Sequence, residues 1–345
     1  MQTLAEQLMA GPRGRALCLE LASSASMPVF DALFALRLLH DRTGWQAVES
    51  DPRLGLLSER LSSLVQLDAN SLQRALSTTV DGAMYWQEPS DDELIAGRPE
   101  VAAEIERIAA MVSNARVARW WTDPIAAEQF QVRMEGWRDD LIRPAAAEAL
   151  PRWAEDTRRL ESGAAAEWDP DPRANISAWW PSTPPGFELT ATCGAQRGVP
   201  TGLYLVEDGF GETRATVHRV GGTGRVLEID SAAVWAGLCR EHPMEVTASK
   251  RHDWFRTTGL AGTRWAMPDW ASVAREYDAV HLQVGAYLAA SGTAIEVEPG
   301  VHSVIAGWAP GDTYWLTDVV EVEPEGRVFV KDRDDDLWHA EEGSR

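Results

Sequence analysis

The chain has 345 residues, of which 45% are hydrophobic and 25% charged, and its formal net charge is −21. This mix is typical of a folded globular protein with about two domains and argues against intrinsic disorder. The negative charge argues against nucleic acids and anionic membranes as partners, and the lack of a long apolar run or a secretory leader predicts a cytoplasmic protein.

Residues 14 to about 162 show the periodicity of amphipathic helices. The clearest helix begins at Ser26 and Pro28 and ends at Gly44. Asp123 and Pro124 mark the start of another, so we predict an all-helical domain over residues 1–162. The apolar positions that support the two helices are Val29, Leu33, Leu36 and Leu39 in the first, and Phe130, Met134, Trp137 and Leu141 in the second.

Residues 163–186 contain five prolines and few periodic apolar positions, which is typical of a linker. Two adjacent indoles, Trp179 and Trp180, would be costly to expose, so we expect the linker to be pinned to a domain surface. The chain is tryptophan-rich, with 16 in all, and most are expected to anchor core and domain contacts.

Beyond residue 186 the hydrophobic period changes to two, with β-branched residues between glycine-rich breaks. We predict strands at FELTATC, GLYLVED, TRATVHRV and RVLEID, paired as a meander, and further strands at SVIAGW, DTYWLTDVVEVE and RVFVK. Helices are predicted at Ser231–Arg240 and Pro268–Tyr277, and DAVHLQVGAYLAASG fits either a strand or a helix. The result is a mostly antiparallel α+β domain over residues 187–331, followed by an acidic tail over 332–345.

The segment Thr247–Gly259 concentrates cations around aromatic side chains in a chain that is otherwise acidic. Cations suit a phosphate or carboxylate, and an aromatic face suits a flat ring, so the segment predicts a site for a small anionic or nucleotide-like molecule. The alternative is a solvated loop whose cations pair with nearby carboxylates. The candidate ligand-binding residues are Lys250, Arg251, His252, Trp254 and Arg256.

Three residues nearer the C-terminus are candidates for catalysis. His281 lies between apolar neighbours and has the chemistry of a general base, or else of a core histidine bonded to a backbone carbonyl. Glu321 and Glu323 are two residues apart, so on a strand they share a face and suit the stabilisation of a cationic centre. The alternative for both carboxylates is the solvent face of a half-buried strand.

These features favour an enzyme that acts on a nucleotide or a phosphorylated small molecule, with glycosyl or ADP-ribosyl transfer as the reaction class. The alternative is a non-catalytic adaptor that binds a protein partner. A second alternative is a biosynthetic enzyme with a pocket between the domains, lined by Trp120, Trp121, Trp179 and Trp180. No metal-site motif is present, the cofactor stays unknown, and the three scattered cysteines predict buried thiols rather than disulfides.

Overall fold

The computed structural model describes residues 2–63, 68–136, 145–178, 180–186, 188–332 and 337–341. Its α-helices are α1 (Leu4–Ala10), α2 (Pro12–Ala25), α3 (Met27–Thr43), α4 (Trp45–Glu49), α5 (Arg53–Leu61), α6 (Ala69–Asp81), α7 (Asp91–Ala96), α8 (Pro99–Asn114), α9 (Ala146–Glu167), α10 (Ala232–Glu241), α11 (Thr247–Thr258), α12 (Trp270–Val273) and α13 (Val284–Ala290). Short 3-10 helices cover Arg116–Thr122 and Thr201–Leu203.

The β-strands of the same residues are β1 (Gln129–Met134), β2 (Thr190–Cys193), β3 (Ala195–Gln196), β4 (Val199–Pro200), β5 (Arg214–Gly222), β6 (Val226–Ile229), β7 (Pro243–Glu245), β8 (Arg264–Pro268), β9 (Ala279–Leu282), β10 (Ile295–Glu298), β11 (Val301–Ser303), β12 (Asp312–Trp315), β13 (Val320–Lys331) and β14 (Trp338–Ala340). The protein is therefore α+β, with its helices concentrated in the N-terminal half and most of its strands in the C-terminal half.

Helices of the N-terminal half form where the sequence supplies an end signal and an apolar face. α3 follows Ser26, has Pro28 in its first turn and ends at Gly44, whose φ of 84° favours glycine. Asp68 caps α6 by accepting two backbone N–H groups. The helix predicted at Ser26 is confirmed.

The helix predicted after Asp123 is wrong over the described residues. Phe130 and Met134 lie on β1, which pairs with β2 and β5, whereas Trp137 and Leu141 lie outside the described residues. The sequence QFQVRM alternates polar and apolar residues, which is the period of a strand. Phe130 and Met134 are also four residues apart, which is the spacing of a helix. Because β1 pairs with a neighbouring strand on each side, the segment folds as a strand and not as a helix.

Strands assemble into an eight-stranded sheet of order β14-β13-β5-β1-β2-β12-β9-β6, a four-stranded sheet of order β10-β11-β8-β7, and the pair β3-β4. Antiparallel pairing dominates, with β6–β9 and β8–β11 parallel. The predicted meander is wrong, because β6 pairs with β9 rather than with β5. GLYLVED (residues 202–208) forms no strand, and its first two residues end the 3-10 helix Thr201–Leu203.

Two C-terminal helices lie where the sequence predicts them, one with the predicted length and one shorter. α10 begins after Ser231, whose hydroxyl caps it, while α12 covers only Trp270–Val273 of the predicted Pro268–Tyr277. The ambiguous segment DAVHLQVGAYLAASG contains both a strand, β9, and a helix, α13.

One face of the eight-stranded sheet packs against helices. Val280, Leu282 and Leu316 belong to the same hydrophobic core as Leu17 and Leu33 of the N-terminal helices. The three cysteines are buried and unpaired, as predicted. The domain boundaries at residues 162 and 187 stay a prediction.

None of the helices in the described residues combines the length and the hydropathy that crossing a bilayer requires.

Candidate functional site

A row of polar side chains crosses the eight-stranded sheet on the face away from the helices. Cross-strand partners project from the same side of a sheet. Their neighbours along the strands, such as Val280 and Tyr314, point the other way into the hydrophobic core. The polar row, as we call it, consists of Glu228 of β6, His281 of β9, Thr313 of β12, Thr192 of β2, Gln131 of β1 and His218 of β5.

Several members of the polar row are buried, and only some of their polar atoms are satisfied. Thr192 Oγ1 accepts from Trp315 Nε1 at 2.9 Å and donates to Gln129 Oε1 at 2.5 Å. Thr313 Oγ1 and Gln131 Nε2 make no hydrogen bond within the described part of the chain, although the two residues are only 0% and 2% exposed. An unpaired buried group costs about 1–3 kcal/mol, so each of these two atoms can gain a hydrogen bond from a molecule that reaches it.

Glu228 and His281 form a hydrogen-bonded pair at one end of the row. His281 Nδ1 lies 2.7 Å from Glu228 Oε2, and Glu228 Oε1 accepts from the Ile125 N–H at 2.9 Å. Since an ionised carboxylate only accepts hydrogen bonds, Nδ1 is the donor. Nε2, which has no hydrogen-bond partner among residues of the described ranges, is then the nitrogen that can exchange a proton with a substrate.

The electrostatics of Glu228 support this assignment. Burial by itself raises the pKa of the Glu228 carboxyl. The interactions with His281 and with the Ile125 N–H lower that pKa by more than burial raises it, so the pKa lies below its ordinary value. The Glu228 side chain is 26% exposed and β6 is an edge strand, so the row reaches solvent at this end.

Arg133 adds a positive charge to the same face of β1, two residues beyond Gln131. Its Nε donates to Gln131 Oε1 at 3.1 Å, and it forms no ion pair with any residue of the described ranges. β1 lies three strands from β9, which places Arg133 roughly 14 Å from His281 across the sheet. A guanidinium in that position suits the carboxylate or phosphate of a molecule that extends along the row.

Two clefts lie away from the polar row. One of about 480 Å³ lies between α6 and the strands β13 and β14, and one of about 260 Å³ lies between α9 and α12. Neither includes a member of the polar row. The row contacts solvent at the β6 edge of the sheet, through the Glu228 side chain.

A second group of titratable side chains lies on the helix-covered face, and we call it the junction cluster: Arg13 of α2, Tyr85, Glu207, Tyr287 of α13 and Asp312 of β12. Arg13, Tyr85 and Tyr287 are buried, whereas Glu207 and Asp312 are partly exposed. Tyr85 Oη donates to a Glu207 carboxylate oxygen, and the Arg13 guanidinium carbon lies 4.9 Å from the centre of the Tyr85 ring. Burial raises the pKa of Glu207 to about 7 and the pKa of Asp312 well above its ordinary value. These acids are held close to their neutral forms where the N-terminal helices meet the sheet.

The segment Thr247–Gly259 is not the loop that the sequence suggested, because α11 covers most of it. The polar groups of α11 bond to backbone carbonyls of the preceding proline-rich segment. Lys250 Nζ donates to Pro181 O at 3.0 Å, and Trp254 Nε1 donates to Trp180 O at 3.0 Å. His252 Nε2 lies 3.0 Å from the carbonyl oxygen of Asp169. These contacts pin the segment 169–181 to α11.

The cations of α11 differ in how they are satisfied. Burial lowers the pKa of Lys250 to about 7, which reduces its charge at neutral pH. Arg256 Nε donates to Trp86 O at 3.0 Å, and its Nη2 donates to Ile176 O. Arg251 Nε is buried and has no hydrogen-bond partner in the ranges the structure describes. The ligand-binding role of α11 stays a prediction, with most of its donors already engaged.

The structure does not bring the predicted catalytic residues together. Glu321 and Glu323 are exposed on β13, and the four strands β5, β1, β2 and β12 separate β13 from the strand of His281. At the usual strand spacing that is roughly 24 Å. His281 therefore has Glu228, and not either predicted glutamate, as its carboxylate partner.

The tryptophans expected to line a pocket are distributed over different cores. Trp121 is buried in the core of the N-terminal helices, and Trp120 packs against that core. Trp180 packs beside a second core and stacks on Tyr85 at 5.4 Å between ring centres. Trp179 lies outside the described residues.

Sequence reasoning missed Glu228, Thr313, Gln131 and Arg133. The available signal for Glu228, Gln131 and Arg133 was alternation, because they lie at polar positions of RVLEID and QFQVRM; DTYW, which contains Thr313, does not alternate. Alternation shows that such residues share one face of their own strand. It does not show which strands are neighbours, and the polar row depends on pairing between segments far apart in the chain.

Comparison with known proteins gives no relative: no family model, curated protein sequence or solved structure matches this chain.

Proposed function

We propose that the protein is an enzyme that acts on a small anionic molecule bound along the polar row, with His281 as the general acid or base. The observation that supports this best is the 2.7 Å contact between His281 Nδ1 and Glu228, next to a Thr313 hydroxyl that is buried and unpaired. Natural proteins satisfy nearly all buried polar groups, and exceptions concentrate at functional sites.

Each residue has a role that follows from its chemistry. His281 Nε2 takes a proton from, or returns one to, a hydroxyl group or water at the substrate. Glu228 is a positioning residue, because it orients the imidazole and stabilises the imidazolium that forms. Thr313 and Gln131 donate hydrogen bonds to substrate oxygens, and Arg133 neutralises a terminal phosphate or carboxylate.

The distance between Arg133 and His281 limits the substrate class. A molecule that contacts both must extend roughly 14 Å across three strands, which is the length of a nucleotide or a phosphorylated sugar conjugate. The nucleotide-like substrate expected from the sequence is therefore retained, with Arg133 as the anion-binding residue in place of the engaged donors of α11. Group transfer from such a molecule needs the proton exchange that His281 offers.

The experiment that tests this function is a thermal-shift screen against nucleotides, phosphorylated sugars and dicarboxylates. A ligand that binds only the native state raises the melting temperature by mass action. We expect one anionic class to raise it in the wild type and in the control Arg327→Met, which removes an exposed arginine of β13. The same compounds should have little effect on Arg133→Met. A shift of equal size in Arg133→Met, or no shift with any anion, would contradict the proposal.

A further inference from the structure

Helix α3 has two apolar faces, and the structure covers only one. Val29, Leu33 and Leu36 are fully buried against the neighbouring helices. On the opposite face, four large apolar side chains are in contact with solvent. We call them the α3 stripe: Met27, Phe30, Phe34 and Leu38, which are 67%, 41%, 50% and 36% exposed.

The α3 stripe is continuous and ordered. Its members follow each other at i, i+3, i+7 and i+11, which is the spacing of a narrow helix–helix seam. The rings of Phe30 and Phe34 stack at 6.2 Å with planes 7° apart. Leu56 of the adjacent helix α5 is also 46% exposed, so the apolar surface extends beyond α3. A contiguous apolar patch of this kind is typical of an interaction surface.

Two charges on one flank of the stripe indicate what covers it. Asp31 and Arg42 are both exposed, and neither forms an ion pair with a residue in the described part of the chain. They are 11 residues apart, which is close to three full helical turns, so they lie on the same flank about 16 Å apart. The flank therefore has a negative group near one end of α3 and a positive group near the other.

We infer that the α3 stripe is the interface of a two-fold homodimer in which α3 packs antiparallel against α3 of a second copy. A two-fold interface requires a patch that is complementary to itself. In an antiparallel pair, equal flanks of the two helices meet with their directions reversed. Asp31 then faces Arg42 of the partner subunit, and the reverse contact forms at the other end. Phe34 and Leu38 then meet in the seam between these two ion pairs, and Met27 and Phe30 extend the apolar surface beyond them.

Sedimentation velocity over about 1 to 100 µM tests the interface on the full chain. The wild type is expected to form a concentration-dependent dimer, and Phe34→Glu to weaken association by about 100-fold, since it places a carboxylate in the seam. Phe34 is exposed, so this variant is expected to fold, which circular dichroism checks. The matched control is Phe210→Glu, which changes an 85% exposed phenylalanine elsewhere and should leave the dimer intact.

A charge exchange tests the antiparallel arrangement. Asp31→Arg and Arg42→Asp should each weaken the dimer by about tenfold, because each creates two repulsive contacts. Mixing the two single variants restores both ion pairs in a heterodimer, and so does combining the substitutions in one chain. A monomer at every concentration, or a dimer that Phe34→Glu does not affect, overturns the proposal. Single variants that weaken the dimer and are not rescued by mixing overturn the antiparallel two-fold arrangement.

Discussion

The two faces of the eight-stranded sheet hold partly exposed acidic groups in opposite electrostatic states. On the helix-covered face, Glu207 and Asp312 have raised pKa values because burial disfavours their charged forms. On the polar face, Glu228 has a lowered pKa because His281 and a backbone N–H stabilise its charge against burial. Glu207 and Asp312 are thus shifted toward their neutral forms, whereas Glu228 keeps a charged carboxylate hydrogen-bonded to His281 at the edge of the sheet.

This difference separates a structural use of polar groups from a chemical one. A general base needs an oriented partner and a route to solvent, and the pair of His281 and Glu228 has both. The junction cluster contains a buried arginine and two buried tyrosines but no histidine, the side chain that exchanges protons most readily near neutral pH. We therefore assign chemistry to the polar row and stability to the junction cluster.

The largest expected effect is on turnover, from His281→Gln. Glutamine can still donate a hydrogen bond to Glu228 but cannot exchange a proton, so turnover of the compound identified by the ligand screen should fall by about 10²–10⁴-fold. The control is His218→Gln in the same row, where Nδ1 lies 2.9 Å from the backbone oxygen of Glu323. If both substitutions reduce turnover equally, His281 has no special role.

The next effect is the pH dependence of stability that Glu207 contributes. Its pKa is about 7 in the folded protein against an ordinary 4.5, so the unfolded chain loses this proton first as pH rises. The contribution of Glu207 is thus complete below about pH 4.5 and is lost as pH rises to about 7. Glu207→Gln, which keeps an acceptor for Tyr85, should stabilise the protein at pH 8 on the order of 3 kcal/mol.

Chemical denaturation at pH 5 and pH 8 measures this difference. The gain from Glu207→Gln should be small at pH 5 and large at pH 8. An equal gain at both values would show that the carboxyl does not change its protonation between them. Asp208 and Asp312 are the neighbouring acids, and Arg13, Tyr85 and Tyr287 are the other groups that act on Glu207.

A smaller effect distinguishes α11 as a scaffold from α11 as a ligand site. Arg256→Ala leaves the carbonyls of Trp86 and Ile176 without this donor, and we expect a loss of about 2 kcal/mol in unfolding free energy with unchanged ligand affinity. Arg251→Ala should cost less than about 1 kcal/mol, because its Nε has no partner in the described ranges. Loss of ligand binding in both variants without loss of stability would instead place the anion site on α11.

Part of this arrangement could be predicted from the sequence. The positions of α3, α10, β5 and β6 were predicted correctly. Helix caps and hydrophobic periodicity depend only on residues within one element, so they can be recognised in the sequence. His281 was identified as a candidate base from its position on a strand. Its partner Glu228 was not, because the parallel pairing of β6 with β9 is a contact between segments about 50 residues apart. The cations of α11 were conspicuous in sequence, yet most of their donors serve the fold.

The measurement that tests the central claim most directly is the melting temperature of Thr313→Val with and without the ligand selected by the screen. The Thr313 hydroxyl is buried and unpaired, so removing it should stabilise the free protein by about 1 kcal/mol and reduce the gain from ligand. Thr192→Val is the matched control. Its hydroxyl is bonded to Trp315 and Gln129, so this change should destabilise the protein by about 1–2 kcal/mol.

If Thr313→Val melts above the wild type without ligand and gains less from ligand, the unpaired hydroxyl is part of a binding site. If Thr313→Val melts below the wild type and gains as much from ligand, the polar row is a structural feature and the proposed site is wrong.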